Sequence, residues 1–227
     1  MLEWLKSVVS DPDILSAVRV TFTMAVCSTG IASVLGIIFG LLLERFQFPG
    51  KKIMIRFNRT LMGSPPVVVG LIVYLLLMRR GPLGSLSLLF TIQGMVIAQT
   101  LIITPIICGM FYSYLRRSAP SIREFAVTMG ATRWQTTGLI IRELRREIYF
   151  CMVTGFGRSI SEVGAVMLVG GNIRGRTRTM TTTISLLKSQ GIFTEGVALG
   201  ILLLVMAFIL QWICDILQRE ESENENY

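Results

Sequence analysis

The sequence predicts an all-α membrane domain of about five transmembrane helices, on three observations. The first is composition: 227 residues, 52% hydrophobic and only 16% charged, with a mean hydropathy of +0.64, well above a soluble domain. The second is segment length. Crossing about 30 Å of hydrocarbon at about 1.5 Å per residue takes about 20 mostly apolar residues. Five stretches meet that test: roughly Val18–Leu43, Leu61–Met78, Ile92–Tyr114, Ile148–Val169 and Gly196–Leu217. The third is punctuation, because Pro, Gly and charge fall between these stretches.

The stretches can be justified in order. Val18–Leu43 begins too late and runs too long for a cleaved signal peptide, and no small-x-small site follows it. Phe48-Pro49-Gly50 breaks the chain after it. Ser64-Pro65-Pro66 opens the second stretch, where proline is tolerated in a first turn. Arg80-Gly81-Pro82-Leu83-Gly84 reads as a turn. Thr104-Pro105 lies inside the third stretch and should kink it. Thr181–Ser189 is too short to span and reads as a partly inserted helix. Residues 1–219 are thus one membrane domain, with a long central loop at about 115–147. The tail Glu220–Tyr227 carries four glutamates and is expected to be disordered.

Charge sets the orientation. Thirteen Lys and Arg, among them Arg45, Lys51, Lys52, Arg56, Arg59, seven arginines of the central loop and Arg219, fall on one side. Eight, among them Lys6, Arg79, Arg80, Arg174, Arg176 and Arg178, fall on the other. The richer side is expected to be cytoplasmic, with the N-terminus outside and the C-terminus inside. The net charge of +8 fits this bias together with anionic lipid as a partner. No nucleic-acid-binding module accompanies it.

Several chemistries are absent from the sequence. There is no histidine, hence no His metal site or His general base. No G-x-x-x-x-G-K-[ST] occurs, so the chain has no P-loop for ATP. Cys27, Cys108, Cys151 and Cys214 each fall in an apolar stretch without CxxC spacing and read as small buried thiols. No internal repeat is visible, against the inverted-repeat carriers. No catalytic residue and no metal site are expected.

The central loop carries the most information. Ser121 and Glu124 have capping-box spacing, and Glu124 suits a helix N-terminus. Gly130 should end a short helix or admit a close backbone. A second helix from about Thr132 carries Trp134, Leu139 and Ile140. The loop reads as a short helix lying across the membrane face, either an ordinary interfacial helix or a knob for a cytoplasmic partner.

Glu124, Ala126, Gly130 and Ile140 match the EAA-x3-G-x9-I pattern of ABC importer permeases, which this loop resembles. Phe125 stands at the usual alanine, and Ile140-Ile141-Arg142-Glu143 replaces the usual I-x-L-P ending. A second resemblance runs from Gly155 to Ile184, GFGRSISEVGAVMLVGGNIRGRTRTMTTTI. Its F-x-R-S-I-S-E-x-G-A and G-N-I-x-G-x-T-R elements look like those of the molybdate and tungstate oxyanion permeases. FPGKK at Phe48–Lys52 and PPVVVGLIVYLLL at Pro65–Leu77 are similar too, and GGNI paired with the degenerate EAA ending resembles the tungstate branch more than the molybdate one.

The resemblance implies a type I ABC importer permease fold with a cytoplasmic coupling helix. It implies a homodimer, two ABC ATPase subunits holding ATP and Mg, and an extracytoplasmic oxyanion-binding protein. Tungstate is the implied cargo, with molybdate or a sulfate-like oxyanion as the alternative. A rival of another class is an ATP-independent anion channel or ion-coupled carrier. A bare membrane anchor would leave the charges inside the fourth stretch unexplained.

Those charges are Arg158 and Glu162, four apart and so on one helix face, where they can pair. Charge at that depth marks a functional candidate, either a structural ion pair or a gate together with Gly157, Ser161, Thr181 and Thr182. Gly155, Gly157 and Gly164 would let neighbouring helices approach. Asn172, Arg174, Arg176 and Arg178, among several threonines, form the outer loop. They can attract anions or meet an acidic partner surface.

Overall fold

The computed structural model describes residues 12–223, with side chains at 210 and 213–223 excepted. The backbone is helical almost throughout, and no strand occurs among the described residues. The helices are α1 (Pro12–Arg45), α2 (Lys51–Met62), α3 (Pro66–Leu77), α4 (Ile92–Thr128), α5 (Arg133–Glu143), α6 (Arg145–Ser161), α7 (Gly164–Gly170), α8 (Met180–Ser189) and α9 (Phe193–Glu223). One 3₁₀ turn, Gly84–Leu86, follows α3.

Two helices, α1 and α4, are long and apolar enough to cross a membrane alone. The pairs α2–α3 and α6–α7 each pass only as a broken span, bent by 100° and 62°. Among the described residues the count is therefore two spans, or up to four. The fifth expected segment falls in α9, whose described apolar part is the shorter stretch Phe193–Ile209. Lys6 and residues 224–227 of the acidic tail lie outside the described residues, as do the side chains of Cys214 and Arg219.

The helix α4 is the central post and touches α1, α2, α3, α5, α6 and α7. Its inner face buries Ile103, Ile107, Phe111, Leu115 and Ala119 against Ala32 of α1 and Cys151 of α6. A second cluster, Met24, Met95 and Val166, joins α1, α4 and α7. Polar groups knit the same helices: Ser28 and Ser159 share a hydrogen bond of 3.0 Å. Thr21 accepts from the Met180 backbone N–H at 3.0 Å, which docks the start of α8 on α1.

Four sequence expectations need correction. The segment from Leu61 does not run straight into the membrane. Leu61 belongs to α2, and the span proper starts at Pro66 with Pro65 as N-cap. At 12 residues α3 is roughly 18 Å long, too short to cross alone. Residues 51–60, left between the first two expected spans, belong to an amphipathic helix, Lys51–Met62, with Lys51, Lys52, Arg56 and Arg59 beside exposed Ile53, Met54 and Phe57. That pattern suits a helix lying in the headgroup layer.

Nor does the third stretch end at Tyr114. It continues to Thr128 through both Pro105 and Pro120. The Asn58 side-chain amide donates to the Pro105 carbonyl at 3.1 Å, tying α2 to the helix there. Finally, Cys27 is exposed, whereas Cys108 and Cys151 are buried as expected.

A close backbone contact joins α3 to α7. A Cβ built on Gly70 would lie 2.6 Å from the Ala165 Cα, so glycine is what lets these backbones meet. Gly70→Val should lower the thermal midpoint of the detergent-solubilised subunit, by an overpacking cost of about 1–3 kcal/mol. Gly70→Ala should fall between it and the parent. A valine variant with an unchanged melting curve would mean that α3 and α7 do not pack this way.

Candidate functional site

Three regions hold the candidate residues: the corner between α4 and α5, the break between α6 and α7, and the loop between α7 and α8.

At the corner, α4 ends in a Schellman motif. The Ala131 N–H donates to Ala126 O at 2.9 Å and the Gly130 N–H to Val127 O at 3.0 Å. Gly130 has φ +73°, a conformation that L-residues rarely adopt. It ends α4, where the sequence reading expects the end of a short separate helix. The next helix starts at once with a capping box: Thr132 Oγ1 accepts from the Gln135 N–H, and Gln135 Oε1 accepts from the Thr132 N–H at 2.8 Å. Its start matches the expected second helix.

The capping box expected at Ser121–Glu124 does not form. Both residues lie inside α4, and Ser121 Oγ donates back to Ser118 O at 3.0 Å. The Ser121-x-x-Glu124 spacing made this look like a helix start. Burial of Leu115, Ala119 and Ala126 keeps α4 continuous across it instead. The true signal was Thr132-x-x-Gln135.

The corner has two faces. Ala126 and Ile140 point inward and are buried. Ile140 packs with Leu144, Leu115 and Cys151, so the corner rests on the same core as α6. Phe125, Val127, Met129 and Trp134 point outward, at 62%, 65%, 72% and 81% exposure. Glu124 is exposed beside them. The Arg45 guanidinium lies 5.9 Å from the Trp134 ring centroid, and Arg123 pairs with Glu44 at 2.8 Å. Both contacts hold the corner to the end of α1.

At the break, α6 stops at Ser161 and Glu162 takes an extended backbone, φ −76° and ψ 133°. Its side chain is 6% exposed. Oε1 accepts from the N–H groups of Gly164 and Ala165 at 2.9 and 3.3 Å. Oε2 lies 3.4 Å from Arg158 Nη2. The expected pair thus forms, although Glu162 has left the helix that was to align it. The carboxylate has a second task that the sequence reading missed, which is to cap α7. An E-x-G-A sequence after a helical run was the available signal.

Ser161 is exposed and donates to Arg158 O at 3.1 Å. Thr181 Oγ1 donates to Glu162 O at 3.0 Å, which brings the start of α8 to the break. Among the flanking glycines, Gly155 sits against Ile103 and Ile107, and Gly164 against Val67, whereas a Cβ at Gly157 would meet nothing within 4 Å.

In the outer loop, Arg174 pairs with Asp13 of α1. Arg178 Nε donates to Asn172 Oδ1 at 3.2 Å. Thr177 Oγ1 donates to Gly170 O and accepts from the Ile173 N–H. Thr179 and Thr182 form a capping box at the start of α8, and Thr183 donates to Thr179 O at 2.7 Å. These hydroxyls are engaged within the chain. The guanidinium of Arg176 is exposed and has no partner among the described residues.

A membrane domain with an outward apolar corner on its central loop suits the class of transport-system membrane components. The comparisons agree. Residues 32–222 match the model of the binding-protein-dependent transport system inner membrane component family, and the chain belongs to that family. It is 40% identical to a tungstate uptake system permease protein of Peptoclostridium acidaminophilum, over 92% of each chain. It is 33% identical to the corresponding Campylobacter jejuni permease, over 92% of this chain and 88% of that one. Its fold matches that of a solved bacterial alginate ABC transporter in complex with an alginate pentasaccharide-bound periplasmic protein. The TM-score is 0.79 at 18% identity, covering 94% of this chain and 81% of that one.

Proposed function

We propose that this chain is the membrane subunit of an ATP-driven importer of tungstate. It works as a homodimer with the pore along the two-fold axis. Two ATPase subunits, which hold ATP and Mg, bind on the cytoplasmic side, and an oxyanion-binding protein delivers cargo outside. The observation that carries this reading is the corner of α4 and α5. Four exposed apolar side chains stand on a rigid, doubly capped turn whose inner residues, Ala126 and Ile140, are anchored in the core. Such a patch fits a protein partner.

Orientation follows the Lys and Arg distribution, with the N-terminus outside and the corner in the cytoplasm. Closure of the ATPase dimer would draw the two corners together. Through Ile140, Leu144 and Cys151 the corner pushes on α6, and α6 leads to the break at Glu162. That is a rigid-body route from ATP to an outer gate. The cargo reading rests on the tungstate relatives.

The test is uptake in vesicles holding this subunit, its ATPase and the binding protein. Labelled tungstate should accumulate only with ATP and all three components, and excess molybdate or sulfate should compete less well than tungstate. Uptake without ATP would turn the reading to a channel or ion-coupled carrier. Preferential uptake of molybdate or sulfate would change the cargo.

Glu124 allows a graded check. Because it does not cap a helix, Glu124→Ala should leave the melting point of the subunit alone unchanged. It should weaken ATPase binding by no more than an exposed ion pair contributes, about 1 kcal/mol or less. Complete loss of the complex in a pull-down would mean that Glu124 makes a buried contact.

A further inference from the structure

Beside the outer loop is a hollow of about 730 Å³ between α1, the start of α4 and the loop from Gly171 to Thr179. Its walls are mostly apolar, among them Ile31, Phe90 and Val96. Thr23 and Gln93 also line it, and both are exposed. Arg176 is the one charged residue in that lining, and no carboxylate joins it.

The three arginines of the loop are therefore not equivalent. Arg174 is neutralised by Asp13. Arg178 is braced by Asn172. Arg176 alone faces the hollow with its charge unspent.

Resting on the oxyanion-import reading, we propose that Arg176 is the entry site for a tetrahedral dianion, with Thr23 and Gln93 as further donors. Guanidinium forks suit an oxyanion geometrically. Low-dielectric walls around a single cation focus its field and raise the local anion concentration. One cation against a dianion leaves charge uncompensated, so binding is weak and release fast, as a transport path requires. The Thr177, Thr179 and Thr182 hydroxyls are excluded from this role by their internal bonds.

Cys27 lines the same hollow and is exposed, which provides a readout separate from transport. The assembled importer is reconstituted in vesicles with Cys214→Ser as background, and Cys27 is labelled with a membrane-impermeant anionic thiol reagent. Tungstate at millimolar level should slow labelling at least threefold in this parent. Protection should be lost in Arg176→Gln, kept in part in Arg176→Lys and kept fully in Arg174→Gln. Uptake is measured on the same preparation.

No protection in the parent, or equal protection in Arg176→Gln, overturns the site. So does equal protection by chloride at matched ionic strength, since that would be screening alone. Protection that follows Arg176 in a preparation without ATP-driven tungstate uptake overturns the importer reading and leaves the anion site standing.

Discussion

Gly130→Asp should abolish co-purification of the ATPase while leaving the subunit inserted in the membrane. Within the chain the substitution is mild. A Cβ at Gly130 meets nothing within 4 Å, and the strain is the φ of +73°. An L-residue in the left-handed region costs about 1–2 kcal/mol, less for Asp and Asn, which visit it most readily. The damage lies in the proposed contact. The new carboxylate would stand beside Phe125, Val127 and Met129 at the centre of the apolar corner. Docking would have to bury an unpaired charge, which costs several kcal/mol, and every 1.4 kcal/mol is about a tenfold loss of affinity.

Gly130→Asn is the control for the backbone and should retain the complex with a modest loss. Trp134→Ala should approach the aspartate in severity, since an interface aromatic of this kind contributes about 2 kcal/mol or more. An aspartate variant that co-purifies with the ATPase and hydrolyses ATP in step with transport would remove the corner from the interface.

The corner was half legible in the sequence. Gly130 and Thr132 were readable because local chemistry decides them: a left-handed residue and a side-chain cap. Ser121 misled because its spacing to Glu124 is an equally good local signal. What overrules it is packing of Leu115, Ala119 and Ala126, which only the fold supplies. The Pro65–Pro66 start of α3 was readable for the same local reason as Gly130. The helix α2 was missed because its charges, Lys51, Lys52, Arg56 and Arg59, were counted for topology and its apolar face was not weighed. The outer loop shows the opposite limit. Three arginines in five residues look alike in sequence, and only tertiary partners 161 and 6 residues away, Asp13 and Asn172, separate Arg176 from its neighbours.

Glu162→Ala should be the most destabilising single change at the helix break, more so than Arg158→Met. The sequence alone makes the two equal members of a pair, so that losing either strands a buried charge at about 3–5 kcal/mol. The geometry breaks that symmetry. Arg158 is 40% exposed, so its loss gives up a partly screened contact. Glu162 would keep the Gly164 and Ala165 N–H donors, and the positive N-terminal end of α7 would still offset its charge. The alanine variant removes both the ion pair and the cap, leaving the half-buried Gly164 N–H and the buried Ala165 N–H unsatisfied at the point where the chain turns by 62°. A lost cap costs about 0.5–2 kcal/mol, and each unsatisfied buried donor about 1–3 kcal/mol where no water replaces the bond. Glu162→Gln separates the terms, because its carbonyl oxygen can still cap α7 while the charge is gone. Thermal midpoints should fall in the order parent, Arg158→Met, Glu162→Gln, Glu162→Ala. If Arg158→Met is as damaging as Glu162→Ala, the pair and not the cap holds the break together. If the stable variants lose tungstate uptake, the Arg158–Glu162 contact belongs to the gate rather than to the scaffold.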